Sequence, residues 1–392
     1  MKNDIYLRGK LTGFLESSRN GITFRYSSSN VLALSVYLPV REEPYNARSC
    51  IPFFSNLLPD EWEREKLAQN VGVRAAQTLP LVSAVAGDTA GAVSVLQEDE
   101  EYREDGIHKE VPEEVTADRI GRKNEESLIY WDQDTRSTIA GAQSKMCFYY
   151  ENGKWFIPKG NSSTNTIVKP SEELSLNEYV VTRLASLCSF QVHDVFLHEF
   201  EGRRALVAHR YDRVGMRRIH QEDMCQALGI LPENKYEEDG GPGIRKTAEV
   251  IRKFSSAPGE DLTRFLEIIV FNYIVGNCDS HGKNYSLLHL DDGSVRLAPF
   301  YDLLSTTVYE DISRSLSMRI GQRRRIDDVL REDLLRLGIV EENVMDEIID
   351  TVSRRYRGAM EEMRDTEKNP LVRNMLERIY EDSLPRLERL GV

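Results

Sequence analysis

The chain has 392 residues, and its 51 lysines and arginines are outnumbered by 64 aspartates and glutamates, which gives a formal charge of −13 at pH 7. This acidic balance argues against a protein that holds nucleic acid by its own surface, because binding to phosphates needs clustered positive charge. Hydrophobic residues make up 40% of the sequence and charged residues 29%, a composition typical of folded proteins and not of disordered ones.

The sequence predicts a cytoplasmic protein. No stretch approaches the roughly 18 uninterrupted apolar residues that a membrane span needs, so no membrane contact is expected. The first residues, Met1 to Asp4, lack the basic and then apolar pattern of an export signal. The five cysteines are scattered, odd in number and without C-x-x-C spacing, so we expect reduced thiols and neither disulfides nor a zinc site.

The first 96 residues predict a small α+β domain. Short strands, the last of them at 33–39, alternate with turn residues. A helix is expected to begin after Asp60, and a second short helix near residue 81 precedes a closing strand. Residues 97–126 follow with twelve carboxylates against five lysines or arginines, a charge pattern that predicts an acidic linker or a solvated loop.

Residues 127–392 form the third region, which is strand-rich to about residue 210 and mostly helical from residue 211. Its beginning predicts a hairpin with a type I′ turn at Asn152-Gly153, a further strand over 166–169 and then an amphipathic helix. Beyond residue 220 the pattern predicts helices, with one hairpin near 285–298. The strands and the helices of this region therefore lie in separate parts of the chain.

A polar loop after a strongly apolar helix is the most informative segment. The helix over 265–275 is apolar nearly all round; Asp279 and Asn284 follow it in a D-x-x-x-x-N spacing, and Asp302 lies just past the next predicted hairpin. In protein kinases the first aspartate orients or deprotonates the attacking hydroxyl, while the asparagine and the later aspartate hold magnesium on the nucleotide phosphates. The alternative is a loop capped by Asp and Asn side chains. The ordered set of helix, loop, hairpin and aspartate favours catalysis.

Three upstream segments are candidates for nucleotide binding. Backbone N–H groups for phosphates are available in Thr138-Ile139-Ala140-Gly141-Ala142-Gln143-Ser144-Lys145, although its single glycine fits an ordinary turn before a strand equally well. Lys169 ends a predicted strand where an ATP-pairing lysine would lie; an exposed surface lysine is the alternative. Glu178, on the next helix, either orients Lys169 or is a solvated carboxylate. His209-Arg210-Tyr211 joins the strand-rich part to the helical part, where an adenine would lie.

In these residues the sequence resembles the HipA family of serine/threonine kinases, the toxins of bacterial toxin–antitoxin pairs. The resemblance runs in order through nearly the whole chain, which makes it more specific than any single motif. The segments that carry it are Asn56-Leu57-Leu58-Pro59, Gly87-Asp88 to Gly91-Ala92-Val93, Gly141-Ala142-Gln143 with Lys145, Ile157-Pro158-Lys159-Gly160, Thr166-Ile167-Val168-Lys169, Arg210-Tyr211-Asp212-Arg213, Gln221 to Gln226, Lys235-Tyr236-Glu237, Gly240-Gly241-Pro242-Gly243, Asp279-x-His281-x-Lys283-Asn284 and Pro299-Phe300-Tyr301-Asp302.

The resemblance implies an α+β fold with two kinase-like lobes and a small N-terminal α+β domain. It implies an ATP- and Mg²⁺-dependent protein kinase in which Asp279 is the catalytic base. Asn284 and Asp302 would be the magnesium ligands, and Lys169 would contact the ATP phosphates. The residues expected at the nucleotide are Thr138, Ile139, Ala140, Gly141, Lys145, Lys169, His209, Tyr211, His281, Lys283, Asn284 and Asp302.

The same resemblance implies how the kinase is regulated and what it meets. Thr138 stands where the family has an autophosphorylated serine, and Ser137 lies beside it. Either hydroxyl is therefore a candidate for a modification that ejects the loop and inactivates the kinase. The expected substrate is an aminoacyl-tRNA synthetase. The expected partner is a small helix-turn-helix, HipB-like antitoxin, through which the complex would make most of its contact with operator DNA.

Two other classes of function stay open on the sequence alone. One is a kinase-shaped co-repressor or binding module that holds ATP or an antitoxin without transferring phosphate; the retained Asp279, Asn284 and Asp302 argue against it. The other is a small-molecule phosphotransferase similar to the antibiotic kinases, which the first 96 residues and the motif over 221–226 disfavour.

Overall fold

The computed structural model describes residues 1–19, 21–29, 31–98, 100–103, 106–170 and 172–392. The strands are β1 (Lys2–Leu7), β2 (Lys10–Ser18), β3 (Gly21–Tyr26), β4 (Tyr45–Asn46), β5 (Val93–Gln97), β6 (His108–Glu110), β7 (Met146–Glu151), β8 (Lys154–Pro158), β9 (Thr166–Lys169), β10 (Val195–Phe200), β11 (Arg203–His209), β12 (Arg213–Val214), β13 (Arg217–Arg218), β14 (His220–Asp223), β15 (Ser286–His289), β16 (Val295–Leu297), β17 (Ser315–Ile320) and β18 (Arg323–Arg325). The α-helices are α1 (Ala47–Ser55), α2 (Glu61–Asn70), α3 (Thr78–Val85), α4 (Glu113–Gly121), α5 (Glu172–Leu187), α6 (Met224–Leu228), α7 (Ile244–Phe254), α8 (Pro258–Val275), α9 (Arg331–Leu335), α10 (Glu342–Thr366) and α11 (Pro370–Arg389). Short 3₁₀ helices lie at Pro232–Asn234, Glu237–Asp239, Gly282–Asn284 and Ile326–Asp328.

The chain divides into two compact units. The first unit comprises Met1–Pro170, His198–Asn234 and Leu288–Gly293, and the second comprises Ser171–Leu197, Lys235–Leu287 and Ser294–Val392. The first unit thus contains both the predicted N-terminal domain and most of the strand-rich part of the third region. The two units therefore divide the chain differently from the three predicted regions.

A five-stranded antiparallel sheet, in the order β4-β3-β2-β1-β5, begins the first unit. Because successive side chains of a strand point to opposite faces, Ile5, Leu15 and Phe24 lie together on the buried face, all at 0% exposure. The same hydrophobic cluster takes in Ile139 and Cys147 from later in the chain. Within the first unit, the N-terminal region and the strand-rich region therefore share one core.

The second sheet of the first unit has the order β10-β11-β9-β7-β8-β6, and residues 198–200 are the part of β10 that belongs to this unit. The predicted type I′ turn is confirmed, since Asn152 and Gly153 join β7 to β8 with φ values of 52° and 77°. Both values are left-handed, as this turn requires. Lys169, at the end of β9, lies opposite Leu206 of β11. The ladder between β9 and β11 therefore fixes the position of Lys169.

Helix α8 is central to the second unit, where α7, α10 and α11 pack against it. It begins at Pro258. Proline suits this position because a backbone N–H in the first turn would have no hydrogen-bond partner within the helix. Phe265, Leu266, Val270 and Phe271 are all fully buried, as the apolar sequence predicts. Even so, neither α8 nor any other helix in the described part of the chain is long and apolar enough to cross a membrane.

The prediction of an acidic linker or solvated loop over 97–126 is wrong for its second half. Strand β6 and helix α4 lie there, and β6 pairs with β8. Val111, Ala117 and Ile120 are each 6% exposed. Three buried apolar residues among many carboxylates give no periodic signal, which is why the sequence pattern indicates a loop. Residues 99, 104 and 105 of this segment lie outside the described residues.

Two predictions about strands also need correction. Residues 33–39 form only an isolated bridge between Ser35 and Leu38, because the Tyr26 hydroxyl takes the place of a neighbouring strand. It accepts a hydrogen bond from the N–H of Leu34 at 3.0 Å and donates to the carbonyl oxygen of Leu38. The prediction of a single hairpin beyond residue 220 is incomplete. Strand β14 and the β17–β18 pair are present there in addition to the predicted hairpin of β15 and β16.

Candidate active site

The polar loop begins at Gly276, which ends α8. Gly276 has a φ of 77°, the left-handed conformation in which a residue without Cβ is favoured. Its carbonyl oxygen accepts hydrogen bonds from the N–H groups of Thr306 at 2.9 Å and Thr307 at 3.1 Å. A Cβ at this position would lie 1.8 Å from Thr307 Oγ1. The start of the loop is therefore fixed against the segment that follows Asp302.

Replacing Gly276 by alanine is expected to destabilise the fold by roughly 2–4 kcal/mol, because the change combines a left-handed conformation with a severe overlap. Urea denaturation followed by circular dichroism measures this loss. Gly293→Ala is the matched control: Gly293 has a φ of 84°, but nothing lies within 4 Å of a Cβ built there. It should lose only the conformational part, about 1 kcal/mol. Equal losses for the two variants would contradict the overlap.

Asp279 lies on the exposed part of this loop. The side-chain oxygen of Asn277 accepts a hydrogen bond from the N–H of Asp279 at 3.1 Å, and the carbonyl oxygen of Asp279 accepts one from the N–H of His281 at 2.9 Å. One carboxylate oxygen, Oδ1, accepts a hydrogen bond from the Tyr236 hydroxyl at 3.1 Å. The loop therefore holds the Asp279 backbone in place while its carboxylate remains accessible from solvent.

Asn284 and Asp302 are brought into direct contact. The side-chain N–H of Asn284 donates a hydrogen bond to Asp302 Oδ2 at 2.9 Å, and its side-chain oxygen accepts one from the N–H of His281 at 3.1 Å. Asp302 has a φ of 58°, which is uncommon for a residue with a side chain and is often found at functional sites. The hairpin of β15 and β16 accounts for this contact between residues 18 positions apart.

The pair of Asn284 and Asp302 suits a hard divalent cation. Asn284 offers an amide oxygen and Asp302 a carboxylate, the oxygen ligands that Mg²⁺ prefers. The amide of Asn284 is held at both ends, since its N–H donates to Asp302 Oδ2 and its oxygen accepts from the N–H of His281. The chemistry of these donors, one amide oxygen and one carboxylate, therefore fits a magnesium ion.

His281 and Lys283, the other two predicted residues of the loop, are both buried, at 7% and 6% exposure. The His281 ring packs edge-on against the ring of Tyr236, with 5.3 Å between ring centres. The carbonyl oxygen of Lys283 accepts a hydrogen bond from the Tyr301 hydroxyl at 2.7 Å. Both residues thus contribute to the shape of the loop, and their predicted contact with a nucleotide stays a prediction.

Cys278, the neighbour of Asp279, does not add a nucleophile to the loop. Burial raises the pKa of its thiol to about 11, so the group remains protonated near neutral pH, and a thiol is a poor nucleophile compared with a thiolate. All five cysteines of the chain are buried free thiols. Cys278 is therefore not among the groups on which the chemistry of the loop depends.

The predicted phosphate-binding segment, Thr138 to Lys145, lies in the first unit and is held there by the N-terminal region. The N–H of Thr138 donates to the carbonyl oxygen of Asp88 at 2.8 Å, and its hydroxyl donates to that of Leu57 at 3.3 Å. Thr138 is 0% exposed and Ser137 is 3% exposed. Neither hydroxyl is accessible from solvent in this arrangement.

The remainder of this segment, residues 139–145, is held by a contact within the segment and by one with Asp60. Gly141 has a φ of 110°, and its carbonyl oxygen accepts a hydrogen bond from the N–H of Asp60 at 3.2 Å. Lys145 Nζ donates to the carbonyl oxygen of Ala140 at 2.6 Å, while Ile139 belongs to the hydrophobic cluster of the first unit. This geometry tests neither interpretation of the segment, so nucleotide binding by its backbone stays a prediction.

Lys169, His209 and Tyr211 lie on, or directly after, the paired strands β9 and β11. Lys169 is 8% exposed, so the alternative of an exposed surface lysine is wrong. Glu178 on α5 is 1% exposed, and the alternative of a solvated carboxylate is wrong as well. His209 pairs with Thr166 in the ladder. Because these strand residues belong to the first unit and Asp279 to the second, their assembly into one site stays a prediction.

A cluster of buried charges, which we name the Asp88 cluster, lies in motifs to which the sequence pattern gives no chemical role. Asp88 forms ion pairs with Arg213 at 2.9 Å, Arg210 at 3.3 Å and Arg218 at 3.4 Å. Asp212 pairs with Arg210 at 2.8 Å and with Arg213 at 2.9 Å. Burial by itself disfavours an ionised carboxyl, yet the three guanidinium groups keep the pKa of Asp88 well below its ordinary value. The cluster joins the N-terminal region to later segments of the same unit.

Comparison with known proteins shows to which family the chain belongs. The model of the HipA N-terminal domain matches residues 3–96, and the model of the HipA-like C-terminal domain matches residues 137–360. The chain belongs to the HipA family of protein kinases. Y4mE of Sinorhizobium fredii, whose name assigns it provisionally to the kinases, is 38% identical over 340 residues, which is 82% of this chain and 81% of Y4mE. The serine/threonine-protein kinase toxin HipA of Shewanella oneidensis is 33% identical over 286 residues, 68% of this chain and 66% of that toxin.

A solved structure shows the same fold. HipA of Shewanella oneidensis MR-1, in a complex with HipB and its operator DNA, superposes with a TM-score of 0.87 at 23% identity and covers 99% of this chain and 98% of its own. This likeness confirms the predicted α+β, kinase-like fold with an N-terminal subdomain. The predictions of a HipA-family member and of a protein kinase are confirmed too. A kinase of this family uses a nucleotide and usually a metal.

Proposed function

We propose that this HipA-family kinase is an ATP- and Mg²⁺-dependent serine/threonine kinase that acts in the cytoplasm as the toxin of a type II toxin–antitoxin pair. The observation that carries the proposal is the 2.9 Å contact of Asn284 with Asp302, in the same unit as the exposed carboxylate of Asp279. Phosphoryl transfer needs hard oxygen ligands for a metal and a carboxylate near the acceptor hydroxyl, because the reacting phosphates are densely anionic. Asn284 and Asp302 offer the oxygen ligands, and Asp279 offers the carboxylate.

In the proposed reaction, Asp279 takes the proton of the acceptor serine or threonine hydroxyl as that oxygen attacks the γ-phosphorus of ATP. The bond from that phosphorus to the bridging oxygen breaks, and ADP leaves. Asn284 and Asp302 would hold Mg²⁺, which when bound neutralises charge on the phosphates. Lys169 would contact the phosphates as a cation. Its low exposure supports a specific role, because a lysine is rarely buried unless its charge is paired with other groups. The segment over 138–145 would lie at the phosphates, and His209 and Tyr211 at the adenine.

We infer a HipB-like helix-turn-helix antitoxin as the partner. The structural relative is a complex of HipA with HipB and operator DNA, and a relative from the same species is named a kinase toxin. The net charge of −13 fits a protein that reaches DNA chiefly through another subunit. An aminoacyl-tRNA synthetase as the substrate is supported by the family resemblance of the sequence motifs.

Autophosphorylation is proposed at Ser137 or Thr138. Both side chains are buried, and Thr138 is bonded to Asp88 and Leu57. A hydroxyl enclosed in this way is out of reach of a γ-phosphate, so the segment must leave its position before either residue is modified. The added phosphate, with its charge of about −2, would then disfavour a return to the buried position.

A transfer assay with γ-labelled ATP tests the proposed function. With magnesium chloride, protein produced alone should incorporate label, because the acidic and amide ligands are then supplied with their cation. Excess EDTA should reduce incorporation to background, and added magnesium should restore it. Peptide mass spectrometry should place the phosphate on Ser137 or Thr138, and the double variant Ser137→Ala, Thr138→Ala should lack it. Transfer that persists in EDTA would contradict the metal dependence, and label found elsewhere would contradict the modification sites.

A further inference from the structure

The segment around Tyr236 lies against the loop that carries Asp279. The Tyr236 hydroxyl donates a hydrogen bond to Asp279 Oδ1 at 3.1 Å, and its ring packs edge-on against the ring of His281 at 5.3 Å. One residue earlier, the carbonyl oxygen of Lys235 accepts a hydrogen bond from the N–H of Gly282 at 3.4 Å. The segment therefore contacts the loop at Asp279, at His281 and at Gly282.

The backbone of Tyr236 is itself held in place. Its carbonyl oxygen accepts hydrogen bonds from the N–H groups of Asp239 at 3.1 Å and Gly241 at 2.8 Å, as the chain turns through a 3₁₀ helix. The carboxylate of the next residue, Glu237, accepts a hydrogen bond from the N–H of Arg319 in β17 at 2.6 Å. Tyr236 is thus anchored on both sides and presents its hydroxyl to the loop from a fixed position.

The hydrogen bond from Tyr236 restricts the rotation of the Asp279 carboxylate. Asp279 is exposed, so packing does not define the rotation of its carboxylate. A donor on Oδ1 favours one orientation of the carboxylate relative to the loop. Proton transfer depends steeply on such alignment, since the two heavy atoms must come within about 2.6–3.2 Å of each other.

We propose that Tyr236 is a positioning residue for phosphate transfer, which orients the Asp279 carboxylate toward the acceptor hydroxyl. This inference rests on the proposed role of Asp279 as the base. Tyr236 need not touch ATP or the acceptor for this effect. Its removal should therefore slow the chemical step and leave nucleotide affinity unchanged.

The test is Tyr236→Phe, assayed with γ-labelled ATP, magnesium chloride and myelin basic protein as the acceptor. The expected result is a kcat about tenfold lower, the effect of one hydrogen bond to a charged group, with the KM for ATP within twofold of wild type. Titration with a fluorescent ATP analogue counts folded sites, so that each rate is expressed per site. A kcat within twofold of wild type would overturn the proposal.

A double-mutant cycle separates positioning from a general structural effect. In Asp279→Asn protein, where the charged acceptor of the hydrogen bond is gone, Tyr236→Phe should change the residual rate less than twofold. An equal tenfold loss in both backgrounds would show that Tyr236 acts through the fold and not through Asp279. Wild-type activity in Asp279→Asn alone would overturn the base assignment, and with it the premise of this inference.

Tyr149→Phe is the matched control for the loss of a hydroxyl. Tyr149 donates a similar bond to a carboxylate, Glu151 Oε1 at 3.3 Å, on strand β7 of the first unit. The substitution removes the same atom from a tyrosine–carboxylate pair in which neither residue has a role in the proposed chemistry. Its kcat should equal that of wild type, and a tenfold loss here as well would overturn the assignment of a specific role to Tyr236.

Discussion

Replacing Asp279 by alanine is expected to lower phosphate transfer on the order of 100-fold or more, the contribution typical of a general base. Alanine leaves the acceptor hydroxyl without a group to take its proton, while Asn284 and Asp302 keep their mutual contact. The initial rate of label transfer from ATP to myelin basic protein, in the presence of magnesium chloride, measures the loss. Because the Asp279 side chain is exposed, the substitution should leave the midpoint of thermal unfolding nearly unchanged.

Asp311→Ala is the control for the charge lost in this substitution. Asp311 is an exposed carboxylate of the same unit and has no part in the proposed chemistry. Its transfer rate should match that of wild type. If Asp279→Ala also transferred phosphate at the wild-type rate, the assignment of the base would be wrong, whatever the control showed.

Replacing Asp88 by asparagine is expected to destabilise the protein by about 3–5 kcal/mol, the usual consequence of removing one charge from a buried ion pair. Asparagine has nearly the same shape, so the loss reflects charge and not a cavity. It leaves Arg210, Arg213 and Arg218 buried, each at 8% exposure or less, with one of their two carboxylate partners neutralised. The free energy of unfolding from urea titration at pH 7 measures the effect.

The control for Asp88 is an exposed pair, and the pH dependence supplies a second check. Glu110 and Lys154 form an ion pair at 3.1 Å with both side chains more than half exposed, and Glu110→Gln should cost at most about 1 kcal/mol. The folded protein keeps the pKa of Asp88 below its ordinary value of about 4. The ionised carboxyl therefore stabilises the fold above that pH, and this stabilisation declines as the pH falls further. Asp88→Asn should be less sensitive to acid below pH 4 than wild type; equal sensitivity would contradict this linkage.

The candidate catalytic loop could be located from sequence because its residues are close together in the chain. Asp279 and Asn284 lie five positions apart, and a short hairpin is enough to bring Asp302 to Asn284. The apolar run of α8 and the Asn152-Gly153 turn are strong local signals of the same kind. Tyr236 is different: its contact joins residues 43 positions apart in sequence. No spacing rule predicts such a contact, since packing within the second unit determines it.

Elements that depend on their neighbours were harder to predict. Strand β18 consists of three arginines, all exposed, and has no apolar alternation; its pairing with β17 is what makes it a strand. Helix α1 contains Pro52, which ordinarily indicates a break, but burial of Phe53 and Phe54 stabilises the helix. In each case tertiary packing outweighs local preference.

The Asp88 cluster also bears on how this kinase can be divided. Asp88 belongs to the N-terminal region, whereas its arginine partners come after residue 200. A polypeptide that started at residue 97 would lack Asp88, one of the two carboxylates of the cluster, and Ile139 and Cys147 would lose the apolar residues they pack with. We therefore expect a kinase without the N-terminal region to be less stable than the whole chain, and addition of that region in trans, as a second polypeptide, to restore part of the loss.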